Sequence, residues 1–392
     1  MALPLHYPLR NLAHRRLRTA LTVTVIALVV IATTLFLGLV TSMRRTLATT
    51  GSPDNLIVLR KGSDNDGSSA VPLEAYQALR FFDGVAKNGK GEPLASPELV
   101  VQPFFFTEDG GRENVLVRGV EPVALEVHDE VRIAEGRMFV PSQGEAVVGR
   151  GVASRYRGVE LGEELRFGRS SWKIVGVLDS DGSSFESEVW VDVRELAADA
   201  KRTIPYSGLR LKVAPGVDRD ALIRRIEADS RWTLGAKPET EYYAKQAESA
   251  DFLFILVVFL AVVAGFGAAF GATNTMYAAV QARIAEIGTL RALGFSRGTV
   301  MRAFVTESVA LAVLGLLVGV AIAVPLAFAV SQALGGIAFG LSTFSTSVIT
   351  LRISVFDVAV AALLALAIGL GGGLAPAWRA ARLRPIEALR KG

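Results

Sequence analysis

The chain has 392 residues, of which 51% are hydrophobic and 20% are charged, and its mean hydropathy is +0.39. The apolar residues are concentrated in a few long runs, which is typical of membrane spans attached to a soluble part. The net charge of +4 lies in basic residues beside those runs, so it favours membrane orientation over nucleic-acid binding. The absence of cysteine excludes a disulfide framework and thiolate chemistry.

Residues 1–18 form a basic, partly amphipathic segment that we expect to lie along the cytoplasmic face of the membrane. Residues 19–41 are the first predicted transmembrane helix, because about 20 apolar residues cross a hydrocarbon core. A signal peptide is the rival interpretation, but its apolar region is about 7 to 15 residues long and ends at a small-residue cleavage site. The longer run, followed by Arg44 and Arg45, favours an uncleaved span.

Residues 42–250 predict a large extracytoplasmic α+β domain, expected to form two subdomains and to end in a stalk helix at about 239–251. Gly, Pro, Asp and Ser punctuate its short apolar runs. The predicted helices are 73–81 and 219–231. The predicted strands are 55–59, 99–105, 114–119, 145–148, 164–167, 172–178, 187–192 and 209–213.

Three further apolar runs predict transmembrane helices at 252–278, 303–330 and 355–377. They are separated by a cytoplasmic loop at 279–302 and an extracytoplasmic connection at 331–354, and a basic tail follows at 378–392. Arginines crowd the N-terminal flank, the 279–302 loop and the tail, so both termini and that loop are expected in the cytoplasm. The predicted fold is an α-helical membrane protein with four transmembrane helices and a large α+β extracytoplasmic domain inserted between helices 1 and 2.

The 279–302 loop is the most polar and best punctuated segment of the C-terminal third. Gly294 is a helix stop and Ser296 an N-cap, so the pattern predicts a short helix, a tight turn and a second helix. Such a helix can receive a push and pass it to both neighbouring spans. The plain alternative is an ordinary basic loop. The short helix is predicted from apolar residues at helical spacing, Ile284, Ile287, Leu290 and Leu293.

Motifs for chemistry on this chain are absent. The segment Asn88-Gly89-Lys90-Gly91 lacks the spacing and the Ser/Thr of a phosphate-binding loop. His128 has no evident partner and the other two histidines lie in the N-terminal segment, so neither a catalytic nor a metal site is expected. Asp179 and Asp181 could bind a cation but lack calcium-loop spacing. Asp251, Glu307 and Asp357 sit near span ends, where solvation is easy, so no proton relay is expected.

Two further features are candidate contact sites. Small-xxx-small glycine pairs in the spans indicate close helix packing, either within one chain or in a dimer: Gly267 and Gly271, Gly315 and Gly319, and Gly369 and Gly373. Phe104, Phe105 and Phe106 are neighbours in a predicted strand, so at least one ring must face away from the core unless both faces are buried. We treat them as a candidate adaptor, cargo or subunit edge.

The segment Arg283–Val309 resembles the signature of the MacB/LolC/FtsX-like ABC permeases, whose loop contains EIG-x-x-[RK]-A-[LI]-G. The segment Pro376–Arg390 is similar to that family's ending PA-x-x-A-A-x-x-x-P-[IV]-E-A-L-R, although Trp378 departs from its usual small or charged residue. Leu9–Leu21 is similar to the family's N-terminal segment, and Val117–Val120 with Gly136–Phe139 resembles its extracytoplasmic domain. The resemblance covers nearly the whole chain.

The resemblance implies a permease without catalytic residues that forms a homodimer, or a heterodimer with a related permease. It also implies two copies of a separate ABC ATPase that bind ATP and Mg, with a periplasmic adaptor and an outer-membrane duct as optional additions. No cofactor is expected on this chain. The family's coupling helix, which contacts the ATPase, falls on Glu286, Ile287, Gly288, Leu290, Arg291, Ala292, Leu293 and Gly294.

The expected function is that of a permease subunit in the bacterial inner membrane. It would transmit ATPase motion to an outer domain that handles a lipoprotein, peptide, lipid or hydrophobic drug. The alternative is a non-transporting complex that regulates a cell-wall hydrolase or signalling partner. The single large domain between the first two spans favours export. A third hypothesis, an anchored receptor without an ATPase, conflicts with the loop and tail motifs.

Overall fold

The computed structural model describes residues 16–107, 110–333, 337–340 and 346–383. They form two compact units. The helical unit contains the residues up to Thr41, Phe252–Ala329 and the residues from Arg352 onward, whereas the sheet unit contains Ser42–Asp251 and Val330–Leu351. Most of the predicted N-terminal segment and the motif positions from Arg384 to Arg390 lie outside the described residues.

The helices of the described residues are of two kinds, long apolar helices and short helices. In chain order they are α1 (Arg16–Ala48), α2 (Leu73–Leu79), α3 (Ala124–Val127), α4 (Arg150–Ala153), α5 (Val193–Asp199), α6 (Arg219–Glu227), α7 (Glu239–Gln281), α8 (Ile284–Ala292), α9 (Arg297–Ala333) and α10 (Val355–Arg382).

Within the described residues, four helices are long and apolar enough to cross a membrane, namely α1, α7, α9 and α10. Helix α7 has 43 residues and includes both the predicted stalk and the second predicted span. At 1.5 Å per residue, such a helix extends about 65 Å, roughly twice the thickness of a hydrocarbon core. It therefore extends well beyond one membrane crossing.

Glycines allow the helices of the helical unit to approach closely. A Cβ atom added to Gly315 or Gly319 of α9 would lie 2.7 or 2.6 Å from Ile26 or Val30 of α1, respectively. A Cβ added at Gly369 of α10 would lie 2.6 Å from the Ala312 side chain, so α10 packs on α9 in the same way. Real Cβ contacts are never this short, so larger residues here would force the helices apart.

The pair on α7 behaves differently. Among the described residues, no atom outside the adjacent backbone of α7 lies within 4 Å of the Cβ position of Gly267 or Gly271. Packing within one chain therefore explains the glycines of α9 and α10 but not this pair.

Ionisable residues near the span ends are paired, which corrects the expectation that solvent and snorkelling accommodate all of them. Asp357 is buried, forms a capping box with Ser354 and accepts a 3.1 Å hydrogen bond from Thr41. Glu307 is also buried and contacts Arg283. Asp251 is exposed but lies 2.5 Å from Arg44, one of the two arginines that oppose the charge bias. Protein partners, rather than water alone, compensate these charges.

The strands of the described residues are β1 (Asn55–Arg60), β2 (Ala95–Val101), β3 (Phe104–Phe106), β4 (Arg112–Asn114), β5 (Leu116–Val120), β6 (Arg132–Gly136), β7 (Glu145–Gly149), β8 (Glu164–Phe167), β9 (Ser170–Asp179), β10 (Glu188–Asp192), β11 (Gly208–Lys212), β12 (Leu234–Pro238), β13 (Ile337–Gly340) and β14 (Thr346–Ile349).

Within these described residues, one mixed sheet contains ten strands in the order β12-β1-β11-β2-β5-β10-β7-β9-β6, with β8 on β9. The first half of β2 pairs with β11 and its second half with β5, so β2 joins the strands on either side into one continuous sheet. Pairs β5–β10 and β7–β9 are parallel. Buried apolar clusters lie around the sheet. The α+β character is therefore confirmed.

The predicted elements differ from the observed ones in three ways. Strands β4, β6 and β12 and helices α3, α4 and α5 were not predicted. The run 99–105 contains two strands, β2 and β3, separated by Gln102 and Pro103. The connection at 331–354 contains the β13–β14 hairpin, where Val348 N–H donates a 2.9 Å hydrogen bond to Ser187 of the sheet unit.

Candidate functional site

Helix α8 lies between the two longest helices of the chain and is held by a buried apolar cluster. Ile287 is only 2% exposed and is a member of that cluster. The remaining buried members are Met276 and Val280 of α7, Val300, Phe304 and Leu311 of α9, and Ala377 and Ala380 of α10. A displacement of α8 would therefore press on three long helices at once, because close-packed interiors transmit strain.

The turn after α8 is fixed by its backbone. Gly294 has a φ of +90°, and the Phe295 and Gly294 N–H groups donate to the carbonyls of Leu290 and Arg291 at 3.1 and 3.2 Å. These bonds form a Schellman motif, which terminates a helix with a left-handed glycine. The Ser296 hydroxyl then accepts from Thr299 N–H at 3.2 Å and caps the first turn of α9.

Arg283 connects the three helices of this region. It lies between α7 and α8, and its Nε donates to Glu286 of α8 at 2.9 Å. Its Nη1 donates to the buried Glu307 of α9 at 2.9 Å, and its guanidinium lies 5.1 Å from the centre of the Phe304 ring. Both partners of the Arg283–Glu307 pair are largely shielded from solvent, so this charge-assisted hydrogen bond holds the start of α8 to α9.

The residues assigned to the coupling helix divide by exposure. Glu286, Ala292, Leu293 and Gly294 are exposed, and the Leu293 side chain is 68% exposed despite being apolar. Partial burial raises the pKa of Glu286 above its ordinary value.

The other four coupling residues face inward to different degrees. Leu290 and Arg291 are half-buried, and Arg291 donates a 2.9 Å hydrogen bond to the Phe295 carbonyl. Ile287 and Gly288 are buried, so these two of the assigned residues pack against the chain itself. These two anchor α8, whereas the exposed set is available to a partner.

The phenylalanine edge has the alternation expected of a two-faced strand. Phe104 and Phe106 are exposed and Phe105 is buried. Strand β3 pairs only with β4 in a two-stranded sheet of the described residues, and the Arg112 guanidinium lies 5.1 and 5.4 Å from the two exposed rings. The exposed face is therefore an apolar patch with a cation at its centre.

At Asp179 and Asp181, Arg132 contacts both carboxylates, so an arginine fills the place considered for a cation.

A buried ionic network in the sheet unit was missed by sequence analysis. Its two arginines are Arg118 and Arg210. Arg118 contacts Glu188 at 2.6 Å and Glu98 at 2.8 Å. Arg210 contacts Asp66 at 3.0 Å, Glu98 at 3.2 Å and Glu239 at 3.4 Å. Because Glu239 is the first residue of α7, the network ties the start of that helix to the sheet.

The network also determines ionisation states. Burial alone would raise the pKa of Asp66, but Arg210 and Arg118 outweigh this effect and hold the pKa below its ordinary value. Burial would lower the pKa of His128, but Glu98 and Glu239 outweigh it and raise the pKa. His128 Nε2 lies 2.8 Å from Glu98 Oε1, so the histidine does have a partner. No local pattern could have revealed these contacts, because the partners are up to 144 residues apart.

The described residues combine four helices that are long and apolar enough to cross a membrane, a short anchored helix between two of them, and an α+β sheet unit. The family model of the MacB-like periplasmic core domain matches residues 19–229, more than half of the chain. The model of the FtsX-like permease C-terminal region matches residues 255–385. The chain therefore belongs to the MacB/LolC/FtsX-like ABC permease family.

Similar proteins include three named exporters. Macrolide export ATP-binding/permease protein MacB of Sodalis glossinidius is 27% identical, covering 98% of this chain and 60% of that protein. The MacB of Chlorobaculum tepidum is 25% identical, and the match covers 97% of this chain and 60% of that protein. Pyoverdine export ATP-binding/permease protein PvdT of Pseudomonas syringae pv. tomato is 27% identical, and the match covers 66% of this chain and 40% of that protein. The chain thus spans at most 60% of the length of these three relatives.

Proposed function

We propose that this chain is the permease subunit of an ATP-driven exporter or extractor of the bacterial inner membrane. Two copies of a separate ABC ATPase would bind ATP and Mg and hydrolyse ATP, while the permease itself catalyses no reaction. The motion would pass through α8 to the long helices and act on the sheet unit. The observation that carries this proposal is the anchoring of α8 to α7, α9 and α10, combined with its exposed end at Leu293.

The charge distribution supports an orientation with α8 in the cytoplasm. Arg283, Arg291, Arg297 and Arg302 lie in or next to the α8 region, whereas Arg352 is the only basic residue of the connection before α10. The termini would then be cytoplasmic and the sheet unit extracytoplasmic. The Arg44–Asp251 ion pair supplies a local partner for the arginine that opposes this bias.

Cargo is proposed to be handled by the sheet unit. The charged groups that could line a polar path, Glu307 and Asp357, already have protein partners, which supports action outside the membrane. The relatives named above export macrolides and pyoverdine, so family membership leaves the cargo class open. We propose the Phe104, Arg112 and Phe106 face as the contact for an adaptor or an amphiphilic, anionic cargo. Its rings supply apolar area, and its guanidinium favours negative charge.

Replacing Leu293 with aspartate should reduce co-purification of the ABC ATPase from native membranes at least tenfold. An exposed apolar side chain at the end of α8 suits a partner pocket, and burying a carboxylate there would be unfavourable. The measurement is quantitative mass spectrometry of proteins recovered with the detergent-solubilised chain. Leu161→Asp is the matched control, since Leu161 is 49% exposed in the sheet unit.

Equal ATPase recovery with Leu293→Asp and Leu161→Asp would contradict docking at α8. Recovery of an ATPase together with a peptidoglycan hydrolase would replace the export proposal with the regulatory one.

We further propose that α7 contacts a second permease copy through Gly267 and Gly271. Gly267→Leu should leave the monomer folded but weaken dimerisation, because among the described residues only the adjacent backbone of α7 lies near the added Cβ position. Gly319→Leu should instead reduce the yield of folded monomer, because Val30 occupies that space. Size-exclusion chromatography with light scattering, together with folded yield, separates the two effects. A dimeric Gly267→Leu protein would exclude this contact.

A further inference from the structure

Three side chains converge at the start of α7, and two of them have buried atoms that lack hydrogen-bond partners. His128 Nδ1 and Glu130 Oε2 are both buried atoms without a hydrogen-bond partner. Glu239 Oε1 lies 3.8 Å from His128 Nδ1, and one ligand atom from each of the three residues fits within a span of 4.8 Å. Buried polar atoms without partners are uncommon, so this convergence calls for a missing partner.

The opposite atom of each side chain is held in place. His128 Nε2 contacts Glu98 Oε1 at 2.8 Å, and Glu130 Oε1 accepts from Gly51 N–H at 3.0 Å. Glu239 Oε2 accepts from Asn55 Nδ2 at 2.9 Å and from the Ser52 N–H at 3.1 Å. This arrangement is the outer shell typical of metal sites, in which a carboxylate orients the histidine and hydrogen bonds orient the ligating carboxylates.

The charges of the surrounding network favour a cation. Five carboxylates lie in or beside this network against two arginines and His128, and burying the excess negative charge is unfavourable. Arg210 Nε approaches Glu239 Oε1 only at 3.4 Å, a long contact that leaves that oxygen weakly compensated. The carboxylates are Asp66, Glu98, Glu130, Glu188 and Glu239, and the arginines are Arg118 and Arg210.

We propose that His128 Nδ1, Glu130 and Glu239 bind a zinc ion, with water as the fourth ligand. Zinc accepts imidazole and carboxylate ligands at about 2.0 to 2.2 Å, so tetrahedral ligand atoms lie about 3.3 to 3.5 Å apart. The 3.8 Å separation of His128 Nδ1 and Glu239 Oε1 needs only a small adjustment. The imidazole favours zinc over magnesium or calcium, which prefer oxygen ligands. Glu130 is only half-buried and provides access from solvent.

Zinc at this place would fasten the first residue of α7 to the segment between α3 and β6. Glu239 begins α7, and His128 and Glu130 lie between Val127 and Arg132. The ion would therefore stiffen the attachment of the proposed stalk to the sheet unit. Metal binding itself does not depend on the proposed transport function, so the failure of either proposal would leave the other standing.

The test uses the full-length chain in detergent, without a histidine tag and with His6→Ala and His14→Ala. The chain has three histidines, so His128 is the only one left in this background. After chelator treatment and its removal, the protein is titrated with ZnCl₂ against a chromophoric competitor. We expect one zinc ion per chain with a Kd in the micromolar range or below, and a higher Tm. X-ray absorption should show one imidazole among nitrogen and oxygen ligands.

Glu130→Gln should weaken zinc binding at least tenfold, since an amide is a poorer ligand but can still accept from Gly51 N–H. Glu135→Gln is the matched control, because Glu135 is an exposed carboxylate of β6. The Glu135→Gln protein should bind zinc like the parent. MgCl₂ should not compete. The proposal is overturned if the parent binds no stoichiometric zinc, if the bound zinc has no imidazole ligand, or if Glu130→Gln binds as tightly as Glu135→Gln.

Discussion

Replacing Arg210 with methionine should remove a large part of the folding stability of the sheet unit. The Arg210 side chain is 0% exposed and contacts Asp66, Glu98 and Glu239. Methionine keeps much of the volume but removes the charge, leaving buried carboxylates with Arg118 as the remaining arginine of the network. Removing one partner of a buried ion pair typically costs about 3 to 5 kcal/mol. For a unit of about 200 residues, this corresponds to a Tm decrease of roughly 10 °C.

The measurement is thermal unfolding of the full-length chain, followed by tryptophan fluorescence in the presence of a chelator, so that bound metal does not contribute. Trp190 donates a 3.0 Å hydrogen bond to Glu188 and reports on the network directly. Arg166→Met is the control, because the Arg166 side chain is 80% exposed. The Tm of the Arg166→Met protein should barely change.

Adding Asp66→Asn to Arg210→Met should recover part of the lost stability, because it removes the charge of a buried carboxylate that has lost one of its two arginines. Equal melting of Arg210→Met and Arg166→Met would show that the network does not depend on its second arginine.

Local features of the fold were predictable from the sequence, since they depend on residues close together in the chain. The helical spacing of the apolar residues, together with Gly294 and Ser296, predicted a helix, a turn and a second helix in the segment that forms α8 and the start of α9. The alternation at Phe104–Phe106 likewise predicted at least one exposed ring, and two are exposed. Long apolar runs predicted the four candidate membrane helices for the same reason.

The remaining features depend on contacts between distant residues. Strand β12 contains Gly235 and Pro238 and gains its regularity by pairing with β1, about 180 residues earlier in the chain. The buried network was invisible because each of its charged residues, taken alone, resembles a surface charge. The family motif also treated Glu286–Gly294 as one contact set, whereas the helix turns Ile287 and Gly288 inward. Only the packing of α8 separates anchoring residues from exposed ones.

Breaking the Arg283–Glu307 pair should leave the ATPase bound but uncouple it from the sheet unit. Arg283→Ala removes the bond from the α8 region to the buried carboxylate of α9 while leaving the exposed Leu293 unchanged. Because the chain has no cysteine, Leu161→Cys provides a single site for a spin label. In reconstituted complexes, ATP should change the distance between labels on the two permease copies. Arg283→Ala should reduce that response at least tenfold, whereas ATPase recovery stays within twofold of the parent.

Two variants separate coupling from damage to the fold. Glu286→Gln removes the carboxylate of the exposed Arg283–Glu286 contact but retains the Arg283–Glu307 pair, so its response should stay close to that of the parent. The exchange Arg283→Glu with Glu307→Arg restores opposite charges between the same positions and should recover part of the response lost in Arg283→Ala. A full ATP response in Arg283→Ala would show that the apolar cluster around Ile287 alone carries the motion. Since that cluster touches α7, α9 and α10 whereas the ion pair reaches only α9, the comparison separates transmission through α9 alone from transmission through all three long helices.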